Sequence, residues 1–249
     1  IQYFPDEVID RDINKPAILH LDESALDEPT LAINNANAEI RGVVGLMERV
    51  VGSMVKPFIE GADQKDVEDS SVDFQDGMDQ RIEKISFLNQ SISDYLLKTS
   101  RSELSEDQTK EVYSLVSCTN YLDSMNNIVK TRFGAMLKNL NKASKSLSSD
   151  SQNEVLLYHK KLIKQLKRLN KFFEKFDRTK AEKIVQKMAK NKDLEEKYKL
   201  KVSQKTKKAK GTKDDDKLYT DLMEMLKQLN IFIELIASSL LTIEEKSQA

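Results

Sequence analysis

The sequence predicts an all-α protein built as two tandem antiparallel three-helix bundles behind an extended linker, and three observations predict it. The first is the scarcity of helix breakers. The chain has 249 residues but only 4 prolines, all at or before position 57, and 7 glycines. Beyond Pro57 no proline removes a backbone donor, so long helices can run uninterrupted. The second is periodicity: over six separate stretches the apolar residues recur mostly at steps of three and four, less regularly in the fifth, as on a helix that buries one face. The third is the serine-rich stretch from Ser144 to Ser151, a natural break that divides the six helices into three and three. With 39% apolar and 33% charged residues, the composition is that of long amphipathic helices with a substantial core. No segment alternates apolar and polar residues for long between turn residues, so strands are not expected.

Residues 1–27 mix Pro5, Pro16 and several aspartates with a few apolar anchors such as Ile18 and Leu21, and read as the extended linker. Pro29 then suits the first helical turn, where its missing N–H costs nothing and its fixed φ is already helical. From there Ile33, Ala36, Ile40, Val43, Met47, Val50, Met54 and Phe58 describe one buried stripe over about eight turns. The polar run from Gly61 to Ser70 is expected to be a loop. A second helix, from about Ser71 to Ser100, carries Met78, Ile82, Ile85, Leu88, Ile92 and Leu96 on its inner face.

The third helix opens on Ser105-Glu-Asp-Gln108, a capping box in which two orphan amides are satisfied reciprocally. Val112, Leu115, Thr119, Leu122, Met125, Val129, Phe133, Met136 and Leu140 carry its buried face to about Asn141. Ser151-Gln-Asn-Glu154 repeats the capping pattern and is expected to open the fourth helix, with Val155, Leu162, Leu166, Leu169, Phe173 and Phe176 inside. A fifth follows Asp177 through Ala181, Ile184, Met188, Leu194, Tyr198 and Val202, and Gly211 is placed to end it. The sixth runs from about Asp215 through Leu218, Leu222, Met225, Leu229, Phe232, Ile236 and Leu240. The predicted division is thus a linker over 1–27, a first bundle over 28–145 and a second over 146–249.

The chemistry expected of these residues is sparse. The net charge of −1 gives the whole molecule no electrostatic case for nucleic acid. Charge is uneven, however: Lys197, Lys199, Lys201, Lys205, Lys207, Lys208, Lys210 and Lys213 crowd one stretch, followed by Asp214, Asp215 and Asp216. Such a block reads as a solvated helix end, or as a dock for anionic lipid headgroups. The single Cys118 excludes an intramolecular disulfide and reads as a small buried residue. His20 and His159, the two histidines, have no catalytic context. The chain lacks a Gly-rich phosphate loop, a Cys/His metal pattern and a nucleophile beside a candidate base, so the reading is of a non-enzymatic protein. No stretch reaches the roughly 18 uninterrupted apolar residues of a membrane span; Leu229 to Ile243 is interrupted by Asn230 and Glu234 and reads as a buried helix. A start at Ile1, without Met or signal peptide, reads as a piece of a longer protein.

The wording of the first helix carries a resemblance. Leu21-Asp22, a short spacer, and then Pro29-x-x-Ala32-Ile33-x-x-Ala36-x-x-Glu39-Ile40 resemble the start of the cytoplasmic C-terminal region of bacterial sodium/phosphate cotransporter-family proteins. Similar patterns recur at Asn120-Tyr-Leu-Asp-Ser-Met-Asn-Asn127 and from Leu218 to Ala237. In that family the region is a PhoU-like helical domain, an internal duplication that agrees with the two bundles read independently. The resemblance implies a membrane-embedded transport domain N-terminal to residue 1 and a location on the cytoplasmic face of the inner or plasma membrane. It further implies a regulatory or scaffolding role in sodium-dependent phosphate transport. The alternatives are a free-standing PhoU-type phosphate-signalling adaptor that binds a transporter or sensor kinase, and a helical structural protein that forms a homodimer through exposed stripes.

PhoU-like domains also imply a metal site, made by an acidic residue and an Asp four positions later on the third helix of each bundle, so that both share a face. At the matching place this chain has Asp123 and Asn127, so one carboxylate of the pair survives; in the second half, Leu226 to Ile231 has none. An Asn can coordinate through its carbonyl without adding charge. Asp76, three residues from Asp73 and from Asp79, is the candidate contribution from the second helix. Asp123, Asn127 and Asp76 are therefore the candidate ligands of a divalent metal confined to the first bundle, and no other cofactor is expected. The competing reading of the aspartates is a solvated helix start favoured by the helix dipole.

Overall fold

A computed structural model describes residues 17–59, 67–137, 147–175, 177–187 and 213–243, with the backbone alone for 67–76 and 213–216. Among the described residues no strand occurs, and the protein is an all-α helical bundle. The six helices among the described residues are α1 (Pro29–Ser53), α2 (Val67–Thr99), α3 (Glu106–Ile128, continued through a π turn, Val129–Phe133, to 137), α4 (Ser149–Lys175), α5 (178–187) and α6 (Lys213–Leu240). A short 3₁₀ turn, Glu23–Asp27, precedes α1.

The helix boundaries follow local chemistry. Pro29 stands in the first turn of α1, where no side-chain cap is needed. That helix stops at Ser53, earlier than its apolar stripe, because Pro57 has no N–H to donate to the Ser53 carbonyl four residues before it. Phe58 still reaches the core, from a 3₁₀ turn (Lys56–Phe58), and meets Phe133 edge-on with ring centroids 5.9 Å apart. α2 begins at Val67, one turn before the expected Ser71. The capping box of α3 forms as read: the Gln108 amide donates to Ser105 Oγ at 3.2 Å and the Ser105 amide to Gln108 Oε1 at 2.9 Å.

α4 departs from expectation at its start. It begins at Ser149, and Ser148 rather than Ser151 provides the capping oxygen, accepting from the Ser151 amide at 3.4 Å. Gln152 Nε2 donates to Leu147 O at 2.8 Å and so closes the turn over the buried Leu147 side chain. The extra turn places Glu154 within reach of α6, where it accepts from Tyr219 Oη at 2.7 Å.

The two halves share one continuous core that draws on all six helices. Within the first half α1, α2 and α3 pack on one another; in the second half α4 packs on α6. The halves meet through corresponding helices, α1 against α4 and α3 against α6. Both pairs run antiparallel. Along α1–α4, Gly52 lies by Ile163 and Gly45 by Asn170, while Arg41 pairs with Glu174 at 3.2 Å. Along α3–α6, Cys118 lies by Ile236, Tyr121 by Phe232 and Arg132 by Glu224. A Cβ on Gly45 would sit 3.4 Å from Asn170 Nδ2, so this glycine is where the Asn170 side chain packs against α1.

Gly42, by contrast, faces open space: a Cβ there would meet nothing within 4 Å. Gly42→Ala should therefore stabilise the protein by about 0.5–1 kcal/mol, since alanine leaves the unfolded chain fewer conformations to lose. A small rise in the urea midpoint with an unchanged slope checks it.

Candidate functional site

The most elaborately built feature of the surface is the docking of the N-terminal segment, residues 17–28, onto the first bundle. Its centre is Glu39 of α1. This carboxylate is 3% exposed and stands between Ala36 and Ile40 on the inner side of the helix. It accepts the Leu19 and His20 amides through Oε2, at 3.1 and 2.7 Å. Charge-assisted bonds of this kind are stronger than neutral ones. Further along the segment, Asp22 accepts from the Ser24 amide at 2.9 Å and from its hydroxyl at 2.7 Å, and these bonds lower the Asp22 pKa. They fix the 3₁₀ turn that follows.

α2 and its C-terminal turn grip the same segment from the other side. Tyr95 Oη donates to Asp22 O at 2.8 Å, with burial raising the phenol pKa. Ser102 Oγ donates to Leu26 O at 3.2 Å, and Lys98 pairs with Glu23. The side chain of Ala25 is buried in the turn. The stretch read as an extended linker is thus fastened from residue 19 to residue 26 by three parts of the first bundle; residues 1–16 lie outside the described residues.

Of the candidate metal ligands, Asp123 and Asn127 have described side chains and Asp76 does not. Asp123 and Asn127 are four apart on α3 and both are exposed. Asp76 lies on α2 where only the backbone is described, as does Asp73. Among the described residues no group of three His, Cys, Asp or Glu side chains could hold a metal ion. The neighbouring Asn126 points inward instead: it is 1% exposed, and its Nδ2 donates to Ile82 O and to Ser86 Oγ, both at 2.9 Å. Just beyond it the helix widens into the π turn, where Thr131 Oγ1 donates to Asn127 O at 2.8 Å. An Asp and an Asn by themselves offer one carboxylate, and a single carboxylate binds hard cations weakly. Elemental analysis of protein purified without chelator is expected to find no stoichiometric multi-metal cluster; finding one would place Asp76 and Asp123 in a shared site.

The remaining candidates resolve into packing roles. Cys118 is fully buried with its thiol against Ile236 O, and burial pushes its pKa far up, which suits an inert core thiol. His159 of α4 donates from Nε2 to Val51 O, a carbonyl of α1, at 2.7 Å. Burial lowers its pKa, against the opposing effect of that bond. The sign of the consequence is definite. A histidine that is harder to protonate when folded leaves the unfolded state binding more protons once pH falls below about 6.5, so stability drops there. Urea midpoints at about pH 7.5 and 5.5 should show this loss. It should shrink in His159→Gln, whose amide can replace the donor without titrating. The lysine block lies outside the described residues from Lys197 to Lys210; only the backbone of Lys213 is described, at the start of α6.

Comparison with known proteins finds a distant likeness to proteins named for phosphate export. The chain is 25% identical over 165 residues to a protein of Escherichia coli O157:H7 named "Putative inorganic phosphate export protein YjbB", over 66% of this chain and 28% of that protein. The proteins of the same name from Escherichia coli K12 and Shigella flexneri are each 26% identical over 166 residues, with the same coverage. The chain therefore spans about 28% of the length of these curated relatives. No protein-family profile matches the chain, and no solved structure is similar to it. Among the described residues no helix is long and apolar enough to cross a membrane.

Proposed function

We propose that this chain is a non-catalytic, PhoU-like regulatory domain of a sodium-dependent phosphate transport protein, acting at the cytoplasmic face of the membrane. The observation that carries the proposal is the fastening of residues 19–26 to Glu39, Tyr95 and Ser102. Chain that arrives at the bundle through a clamped segment transmits displacement, whereas a free linker would absorb it. The distant likeness to proteins named for phosphate export, together with the short share of their length that it occupies, supports the choice of transported solute and the modular role.

The mechanism follows from linkage. A helical domain alters transport only by binding one conformation of the transport region better than another. The faces of the long helices supply the contact, and the clamped segment couples bundle position to the chain before it. The test is phosphate flux in membrane vesicles bearing the parent protein, with residues 17–249 present or removed. A changed rate at equal amounts of inserted protein is expected. An unchanged rate overturns the regulatory role. A parent reading frame without hydrophobic spans overturns the attached arrangement and leaves the trans-acting phosphate-signalling adaptor.

A further inference from the structure

We infer that the outer face of α4 is a docking surface for an anionic lipid bilayer. The helix carries seven Lys and Arg against three Asp and Glu, a local net charge of +4 in a chain whose total is −1. Its cations are not scattered. Lys160, Lys164, Lys167, Lys171 and Lys175 succeed one another at steps of four, three, four and four, all exposed, and so form one stripe. From the first to the last the stripe spans about 22 Å. The opposite face, with Val155, Leu162, Leu166 and Leu169, is sealed in the shared core, so the lysines face outward by construction.

Neutralisation within the protein is slight. Lys167 approaches Glu48 at 3.9 Å, and Glu174 beside the stripe is engaged by Arg41. Lys160, Lys164, Lys171 and Lys175 have no ion-pair partner among the described residues. The stripe continues at its N-terminal end into Leu156 and Leu157, which are 40% and 48% exposed on the same face. Lysines in line with protruding leucines are what a bilayer surface accepts: the charges meet headgroup phosphates and the leucines enter the boundary beneath them.

Two other occupants fit less well. A nucleic acid would use the cations, but the face has no exposed aromatic to stack on a base, and the leucines would gain nothing from a phosphate backbone. A second copy could offer α2, whose seven acidic residues against three basic give it −4. Pairing α4 with α2 of the next molecule is a heterologous contact, however, and adds copies until the rotation happens to close. The bilayer surface is a different site from the lysine block beyond residue 196. It rests on α4 alone, so its failure would leave the transport reading untouched.

The test is co-sedimentation of the full chain with phosphatidylcholine vesicles lacking or containing about 30 mol% phosphatidylglycerol. Binding is expected to the anionic vesicles only, and to weaken between about 0.05 and 0.3 M salt. The triple variant Lys160→Gln, Lys164→Gln, Lys171→Gln should lose about a hundredfold in partitioning, at about fivefold per lysine. Leu156→Ser with Leu157→Ser should lose about tenfold. Circular dichroism and thermal unfolding confirm that these exposed changes leave the fold intact. Equal binding to neutral vesicles overturns the proposal, as does anionic binding that the triple variant keeps in full, which would place the contact on another basic segment. So does retention of duplex DNA, or salt-sensitive self-association, with vesicles left unbound.

Discussion

Met125→Asp is expected to cost roughly 4 kcal/mol or more, because it places a carboxylate in the middle of the shared core. Met125 is fully buried on α3, one turn before the π turn, on a helix that touches α1, α2 and α6. Among the described residues no lysine or arginine is buried, so the new charge would have no partner in the core. Thermal or urea unfolding checks the prediction, and pH supplies its signature. Burial raises the carboxyl's folded pKa above its unfolded value, so the folding deficit is full above that raised value and shrinks as pH falls from it toward the ordinary carboxylate range. A variant with an unchanged melting temperature would mean that the inner face of α3 has been misassigned. Met125→Leu, which nearly conserves volume, is the matched control and should cost less than about 1.5 kcal/mol.

Glu39→Ala is expected to release the N-terminal segment and to cost about 2–4 kcal/mol. Two amide bonds to the buried carboxylate are lost, and the Leu19 and His20 donors return to solvent or remain unpaired. Hydrogen exchange locates the effect: protection at residues 19–20 should fall sharply, while α4 and α6 exchange as before. Glu39→Gln keeps an acceptor oxygen without the charge and should retain part of the docking. If residues 19–26 stay protected in Glu39→Ala, then Tyr95, Ser102 and the Lys98–Glu23 pair hold the segment without Glu39. The coupling role proposed for the clamp would then fall to α2.

Little of the candidate site was legible in the sequence, for identifiable reasons. Glu39 sits three residues after Ala36 and one before Ile40, so an acidic residue on an apolar stripe was in view. What it binds was not, because its partners are backbone amides some twenty positions away that have no side-chain signature. Asn126 also follows the period, through Leu122, Asn126, Val129 and Phe133. The resemblance drew attention to Asp123 and Asn127, which lie on the exposed side of the same helix. The π turn left a faint mark in two successive steps of four, Met125 to Val129 to Phe133. Such steps also fit an ordinary helix, so the pattern cannot distinguish the two. The start of α4 moved because Ser148 and Ser151 are both good caps, and the seal over Leu147 favours the earlier one.

The sequence by itself determined that the described residues are helical, roughly where their helices lie, and the principal inward-facing stripes of α1 and α2. The stripes read for α1 and α2 are buried without exception wherever their side chains are described. Those properties are local: a period of 3.6 and a cap are written within a few turns of one segment. Tertiary structure decided how the halves meet. α1 carries a second inner face, with Asn37, Val44 and Val51, because α4 covers it as well as α2 and α3. The register of that pair depends on Gly45 against Asn170 and on His159 reaching Val51 O, contacts between residues more than a hundred positions apart. Shape and donor geometry matched across such distances leave no periodic trace in the chain. The same packing turned the lysines of α4 outward, giving a chain of net charge −1 a basic face there.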